Sequence, residues 1–448
     1  MSETTDVLIV GAGPAGLSLA YNLGKHNINA IIVDQKNRKK VGYKPCGDAL
    51  SPNSTRKLFE LCGIKQPYGE EVCEDLFSAH FKPMEGVELS IPFRSQTIDR
   101  WRYGQRLLDI LKDYPWIKFY GESKVVGTIV EDNKVVGCKV KYSDGKVETI
   151  YAKIVADCSG ATAIVRKNFP EGFAPKIPRS FKREEIIISY REIIETPEPH
   201  PYQHQMRIET HDSLPPPGYF WIFSKGERVL NIGLGWLINE KNKKINAKRL
   251  LQELREEIFP GAKVLDGAGD TLPGRLPLYS LVANGFITCG DAGGLVNPIS
   301  GEGHGPALIS AYYAAQTISK ALKEGRTDEK ILWEYNVKIW NTYGYDGALG
   351  IAVQKLLNAV PFSDFAFLFK KGIISQKDID AIMNSTAAKI PVVSKAIKLL
   401  QKPSLLIKVA KTLRTAEKLK KVALSYPTEP KDFDKWLIKL QKIENKRF

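Results

Sequence analysis

The chain has 448 residues, 43% of them apolar, 10% aromatic and 26% charged, a composition that excludes a disordered or fibrous protein and fits two or three folded domains. Its six scattered cysteines include no C-x-x-C pair and no histidine at ligand spacing, which speaks against a metal site or disulfide scaffold and suits a reducing cytoplasm. The net charge of +15 asks for an anionic partner. No nucleic-acid recognition motif accompanies it, so a phosphate-bearing substrate or an anionic membrane surface is expected instead. The N-terminus lacks a basic segment followed by an apolar run, and charges interrupt every apolar stretch short of the roughly 18 residues of a membrane span. A cytoplasmic monomer is expected.

In chain order, the first element is a strand, Val7 to Val10, followed at once by Gly11-x-Gly13-x-x-Gly16 and a helical pattern through Leu17, Ala20, Tyr21 and Leu23. A second apolar run, Ala30 to Val33, ends at Asp34. This is a βαβ unit in which Gly11 makes the tight turn, Gly13 lets backbone approach a pyrophosphate, and Gly16 permits close helix–strand packing. Pro14 and Ala15 complete the loop, the helix N-terminus faces the phosphates, and Asp34 accepts from a ribose hydroxyl. No second fingerprint of this kind exists in the chain, so one dinucleotide is expected. The loop Val41 to Pro52, "VGYKPCGDALSP", follows directly and places Cys46 between Pro45 and Gly47.

Alternating strands are predicted from Lys124 to Asp157, with turns at Asp132-Asn133 and Asp144-Gly145. The last leads to Asp157 and Ser159-Gly160. A further apolar run, Phe286 to Cys289, ends at Gly290-Asp291, then Pro298, Gly301, Gly303 and His304 open a helix. Acids at strand ends can hold ribityl hydroxyls, and a glycine-rich helix start can cradle pyrophosphate and the electron-rich edge of an isoalloxazine. These segments point to FAD rather than a nicotinamide dinucleotide.

In this order the fingerprint, Asp157-x-Ser159-Gly160 and Gly290-Asp291 resemble the flavin-dependent aromatic-hydroxylase superfamily. The resemblance implies an α/β fold in which a Rossmann-like FAD-binding domain is interleaved with an antiparallel-sheet substrate domain. The implied division is 1–75, 98–170 and 275–325 for FAD, 76–97 with 171–274 for substrate, and 326–448 for a helical C-terminal region. "IDRWRYGQRLLDIL" looks like the superfamily helix whose arginine contacts FAD, here Arg100. Further implied contacts are Val126, Gly160, Asp291, Gly301, Gly303 and His304, with Pro45, Cys46, Gly47 and Asp48 beside the flavin ring or ribityl chain.

The segment Tyr219-x-Trp221-x-Phe223, with Gly233-x-Gly235 ten residues on, alternates aromatics along one face of a strand. On residue chemistry alone this is a packed sheet core. Together with "KPCGDALSP", it resembles the geranylgeranyl reductases, especially those acting on archaeal digeranylgeranylglycerophospholipids, in which this strand lines an isoprenoid channel. Ser224 departs from that family's pattern, which has proline there, and is read as a local turn difference. The resemblance implies reduction of isoprenoid double bonds in lipid precursors, the phospholipid or the diphosphate, by hydride from reduced flavin plus a proton. A flavin-dependent monooxygenase or halogenase is the alternative, and a lipid carrier with structural FAD a third. Cys46 is the candidate catalytic thiol, as proton donor or charge-transfer partner; its plain reading is a small residue chosen for packing. Electrons would arrive by encounter with NAD(P)H, ferredoxin or another donor.

Beyond residue 325 the pattern is helical. Phe362, Phe365, Phe367 and Phe369 either cap a lipid channel or form core. In "PSLLIKVAKTLRTAEKLKKVALS", Leu406, Val409, Ala410, Leu413 and Ala416 form the expected apolar stripe, opposite six basic residues. Such a helix lies on an anionic membrane or packs on the core with a solvated basic face.

Overall fold

Two eight-stranded sheets share the chain, which passes between them several times. The computed structural model describes residues 2–50, 52–84, 86–216, 218–360, 362–373 and 401–445. The chain opens with β1 (Ser2–Val10), α1 (Pro14–Lys25) and β2 (Ala30–Val33). It then runs through β3 (Ala49–Leu50), α2 (Pro52–Cys62), the hairpin β4 (Val72–Met84) and β5 (Val87–Ile98), and α3 (Arg100–Ile110). Next come β6 (Ile117–Tyr120), β7 (Lys124–Glu131), β8 (Lys134–Lys141), β9 (Val147–Asp157) and α4 (Ile164–Lys167). A second β-rich stretch holds β10 (Ile186–Glu195), β11 (Gln205–Glu209), β12 (Gly218–Ser224), β13 (Val229–Leu237), α5 (Ala247–Ile258) and β14 (Lys263–Pro273). After β15 (Val282–Ala283) and β16 (Phe286–Thr288) the chain is helical: α6 (His304–Lys323), α7 (Glu329–Ile339), α8 (Tyr345–Ala359), α9 (Phe362–Lys370), α10 (Pro403–Leu424) and α11 (Phe433–Glu444).

The first sheet has the order β15-β16-β9-β1-β2-β6, with the β7–β8 hairpin paired to β9. Its core is parallel: β1 lies between β2 and β9, and β16 extends β9. Val7 to Val10 are buried throughout, as expected of a central strand covered on both faces. Helix α1 seats against β1 because Gly16 has no side chain; a Cβ there would fall 1.9 Å from the Gly11 carbonyl oxygen. Asp132 and Asn133 adopt φ of +47° and +56°, the primed turn that joins β7 to β8.

The second sheet has the order β14-β10-β13-β12-β11-β4-β5-β3 and is antiparallel except where β11 meets β4. Residue alternation divides its two faces. Phe220, Ile222, Ile232, Leu234 and Trp236 pack against Leu250, Leu251 and Leu254 of α5. On the other face Tyr219, Trp221 and Phe223 join Leu76, Ala79, Ile91, Phe93 and Met206, with Phe369 of α9 packed against them. This sheet takes Ala49–Leu50 and begins β4 at Val72, so it reaches into the 1–75 span expected to belong to the FAD-binding part.

One C-terminal expectation changes in part. The fully buried stripe of α10 is Leu405, Thr412, Ala416, Leu419 and Ala423, which shares Ala416 with the expected one; Leu406 and Val409 are only partly buried, because docking against α8 and α11 sets the helix rotation. Phe367 packs with Leu356, Val360 and Leu368, separately from Phe369. The side chains of Phe362 and Phe365 lie outside the described residues.

Candidate active site

The nucleotide end is assembled from three segments of the first sheet. Helix α1 starts after Gly13, with Pro14 in its first turn, no side-chain cap and no acid within that turn, so its N-terminal dipole end is available to an anion. A Cβ on Gly13 or Gly160 would meet nothing within 4 Å, so both face open space. Gly11 lies against the Cys158 carbonyl and Gly290 against Ala15, which brings the Asp157 and Gly290 segments to the fingerprint loop. The Asp34 carboxylate accepts from Ala12 N at 2.7 Å and Lys36 N at 2.8 Å, placing it at that loop. Val126 is exposed on β7, beside a register shift.

Asp157 takes a different role from the one expected. It is fully buried, and its carboxylate accepts from Ser159 N and Oγ and from Val165 N and Arg166 N. No oxygen reaches the surface for a ribityl hydroxyl, so Asp157 anchors the turn after β9.

The opposite wall carries Arg100 and His304. Arg100 Nη1 lies 3.0 Å from His304 Nδ1, and no carboxylate pairs with Arg100 among the described residues. Burial, then the Arg100 and Lys44 charges, hold the His304 imidazole well below its ordinary value, so it is neutral. Its Nε2 is buried without a partner. Helix α6 begins here, and Glu302 Oε1 accepts from Gly305 N in its first turn at 2.7 Å. A guanidinium lacking an anion, an orphaned ring nitrogen and the uncapped start of α1 form a donor set that fits FAD.

The Cys46 loop closes the site. Lys44 Nζ pairs with Asp291 Oδ2 at 2.9 Å, and that carboxylate is the main cause raising the Lys44 ammonium. Cys46 Sγ donates to Asp48 Oδ1 at 2.8 Å, and Asp48 N donates back to Sγ at 3.3 Å. Burial and then the Asp48 charge push the thiol up to about 11, so it is protonated at neutral pH and suited to an acid rather than a thiolate partner.

The aromatic row spans this loop and the start of α6. Tyr219 OH donates to Ser300 O at 2.7 Å, next to Gly301, while a Cβ on Gly47 would fall 2.7 Å from the Phe223 ring. Between them Trp221 Nε1 donates to Asn231 Oδ1 at 2.9 Å. Ser224 makes no turn: it remains in the ladder opposite Leu230, tied by Oγ to Glu74 and by its carbonyl to Thr97. Sequence reasoning missed Asn231 and Lys225. An asparagine inside the apolar run "VLNIGLG" was a usable signal; Lys225, at the turn after β12, had none.

The FAD binding domain family matches residues 4–259, so the fold and site define an FAD-dependent flavoprotein oxidoreductase. A digeranylgeranylglycerophospholipid reductase of Sulfolobus acidocaldarius is 30% identical over 96% of this chain and 95% of its own length. The chain belongs to the digeranylgeranylglycerophospholipid reductase family. In fold it is similar to a geranylgeranyl bacteriochlorophyll reductase-like protein from Thermoplasma acidophilum, with a TM-score of 0.75, 19% identity, and coverage of 92% of this chain and 100% of that one. A flavin-dependent brominase shares the fold at a TM-score of 0.64 and 16% identity, covering 89% of this chain and 100% of its own.

Proposed function

We propose that the protein saturates the double bonds of geranylgeranyl chains in membrane-lipid precursors. The observation that carries this is the aromatic row, which lays an apolar wall beside the Cys46–Gly47 loop. Burying an isoprenoid against such a wall is favourable by about 25 cal/mol per Å² of apolar surface.

FAD would be held by the loop Gly11, Gly13, Pro14, Ala15 and Gly16, by Asp34, by Arg100, and by Asp291, Gly301, Gly303 and His304 from the α6 side. Val126, Gly160 and the 45–48 loop complete its surroundings. When bound and reduced it supplies hydride to one alkene carbon. Tyr219, Trp221 and Phe223 orient the chain and keep water from it. The Cys46 S–H gives its proton to the other carbon. Neutral His304 leaves Arg100 fully charged toward an anionic group.

Membrane contact belongs to this reading. No helix among the described residues is long and apolar enough to cross a membrane. Along the exposed side of α10, however, Ile407, Lys411, Arg414, Lys418, Lys421 and Leu424 form one stripe, with Ile407 and Leu424 more than half exposed. Basic residues flanked by apolar ends suit an anionic lipid surface. Incubating dithionite-reduced protein with digeranylgeranyl lipid should add pairs of hydrogens by mass spectrometry. An unchanged lipid, or an oxygenated product formed with oxygen, overturns the reading.

A further inference from the structure

Asp48 is bonded more heavily than a loop residue requires. It is buried at φ +60°, a left-handed conformation that costs a non-glycine residue about 1 kcal/mol or more and persists only where the surroundings impose it. Its Oδ1 accepts from the Cys46 thiol, and its Oδ2 accepts from Lys225 Nζ at 2.8 Å and Asn231 Nδ2 at 3.0 Å. These partners are fixed in turn. Lys225 also donates to Ile98 O at 2.8 Å. Fully buried Asn231 holds the Cys46 carbonyl with its amide and the Trp221 indole with its oxygen. One carboxylate thus links the thiol loop to the aromatic row.

We propose that Asp48, clamped by Lys225 and Asn231, is a positioning residue that holds Cys46 as an intact thiol against the aromatic row. This rests on the reading above for what the proton is used for; the clamp itself stands on the contacts. A thiolate at hydrogen-bond distance from a carboxylate is a like-charge pair, so contact with Asp48 favours S–H. Arg100 of α3 acts the other way but makes no hydrogen bond to the sulfur. The remaining groups facing the cluster are Lys225, Arg191 of β10, which faces Asp48, and Cys73 of β4, which faces Lys225. Because Asp48 N holds the sulfur, the S–H can turn about Cβ–Sγ without moving the sulfur. The thiol keeps its proton at neutral pH and can still present it to the pocket.

The test is alkylation of Cys46 in the FAD-loaded protein by iodoacetamide between pH 7 and about pH 12, read by peptide mass spectrometry. Asp48→Asn removes the charge at constant size, and Asp48→Ser does so with less bulk. In either variant that retains flavin, the alkylation midpoint should fall by about one pH unit, making the reaction roughly tenfold faster at pH 8. An unchanged midpoint in a flavin-loaded variant overturns the clamp. Wild-type lipid turnover in Cys46→Ser, alongside a shifted midpoint in Asp48→Asn, overturns the proton-donor reading and leaves the clamp standing.

Discussion

The indole of Trp221 lies over the backbone of Gly233 on the neighbouring strand, so closely that a Cβ there would fall 2.2 Å from Trp221 Cζ2. The two residues face each other in the β12–β13 ladder, and the missing side chain of one makes room for the ring of the other. With Nε1 bonded to Asn231, the indole has one orientation, its Nε1 lying 3.6 Å from where a Cβ on Gly47 would stand. Gly233→Ala should therefore displace the ring, costing about 1–3 kcal/mol of stability. Lipid turnover should fall at least tenfold while flavin content stays at the wild-type level. A variant with normal kcat/KM would remove Trp221 from the pocket wall.

Arg100 is a partly buried cation that no carboxylate pairs with among the described residues, and the proposed site gives it the cofactor as counter-ion. Hydrogen bonds to charged groups contribute about 1.5–3 kcal/mol, so Arg100→Met should weaken FAD binding roughly tenfold to hundredfold. Flavin absorbance per protein, titrated with added FAD, measures this. Full flavin retention would place the guanidinium elsewhere.

His304 makes stability depend on pH. Its folded value lies below its ordinary 6.5, so at pH values between the two the unfolded chain takes up a proton that the folded one refuses. Its contribution is complete above 6.5 and is lost as pH falls below it, with a slope of up to about 1.4 kcal/mol per pH unit. The thermal midpoint should drop from pH 7 to pH 5, and His304→Gln should drop less. Equal drops would show that the imidazole accepts a proton without penalty.

Replacing Lys411, Arg414, Lys418 and Lys421 with glutamate should abolish sedimentation with vesicles containing anionic lipid, each basic residue contributing about 1 kcal/mol. Activity on detergent-dispersed lipid should be unchanged, because the stripe is distant in sequence and packing from the aromatic row. Undiminished vesicle binding would reduce the stripe to a solvated face.

Much of this was legible in the chain because it is written locally. A strand, three spaced glycines, a helix and a terminal acid need only about thirty neighbouring residues, and each imposes its geometry through backbone sterics and hydrogen bonding. The hairpin turn at Asp132-Asn133 and the glycine-rich start of α6 are local in the same way. Asp157 misled because a strand-end acid reads identically whether it faces a ligand or caps the next turn; burial alone separates the two.

The amino-acid sequence by itself determined the FAD-binding fold, its cofactor and the alternation that puts Tyr219, Trp221 and Phe223 on one face. Only the tertiary structure decided what that face meets. Whether α10 buries Leu405 or Leu406 depends on how it docks on α8, and no periodicity within the helix fixes that rotation. Asn231 and Lys225 reach Asp48 across 183 and 177 residues, because the second sheet gathers β3, which follows Asp48, and the β12–β13 hairpin from distant parts of the chain. A side chain's partner across such a separation is set by packing, and no spacing in the sequence encodes it.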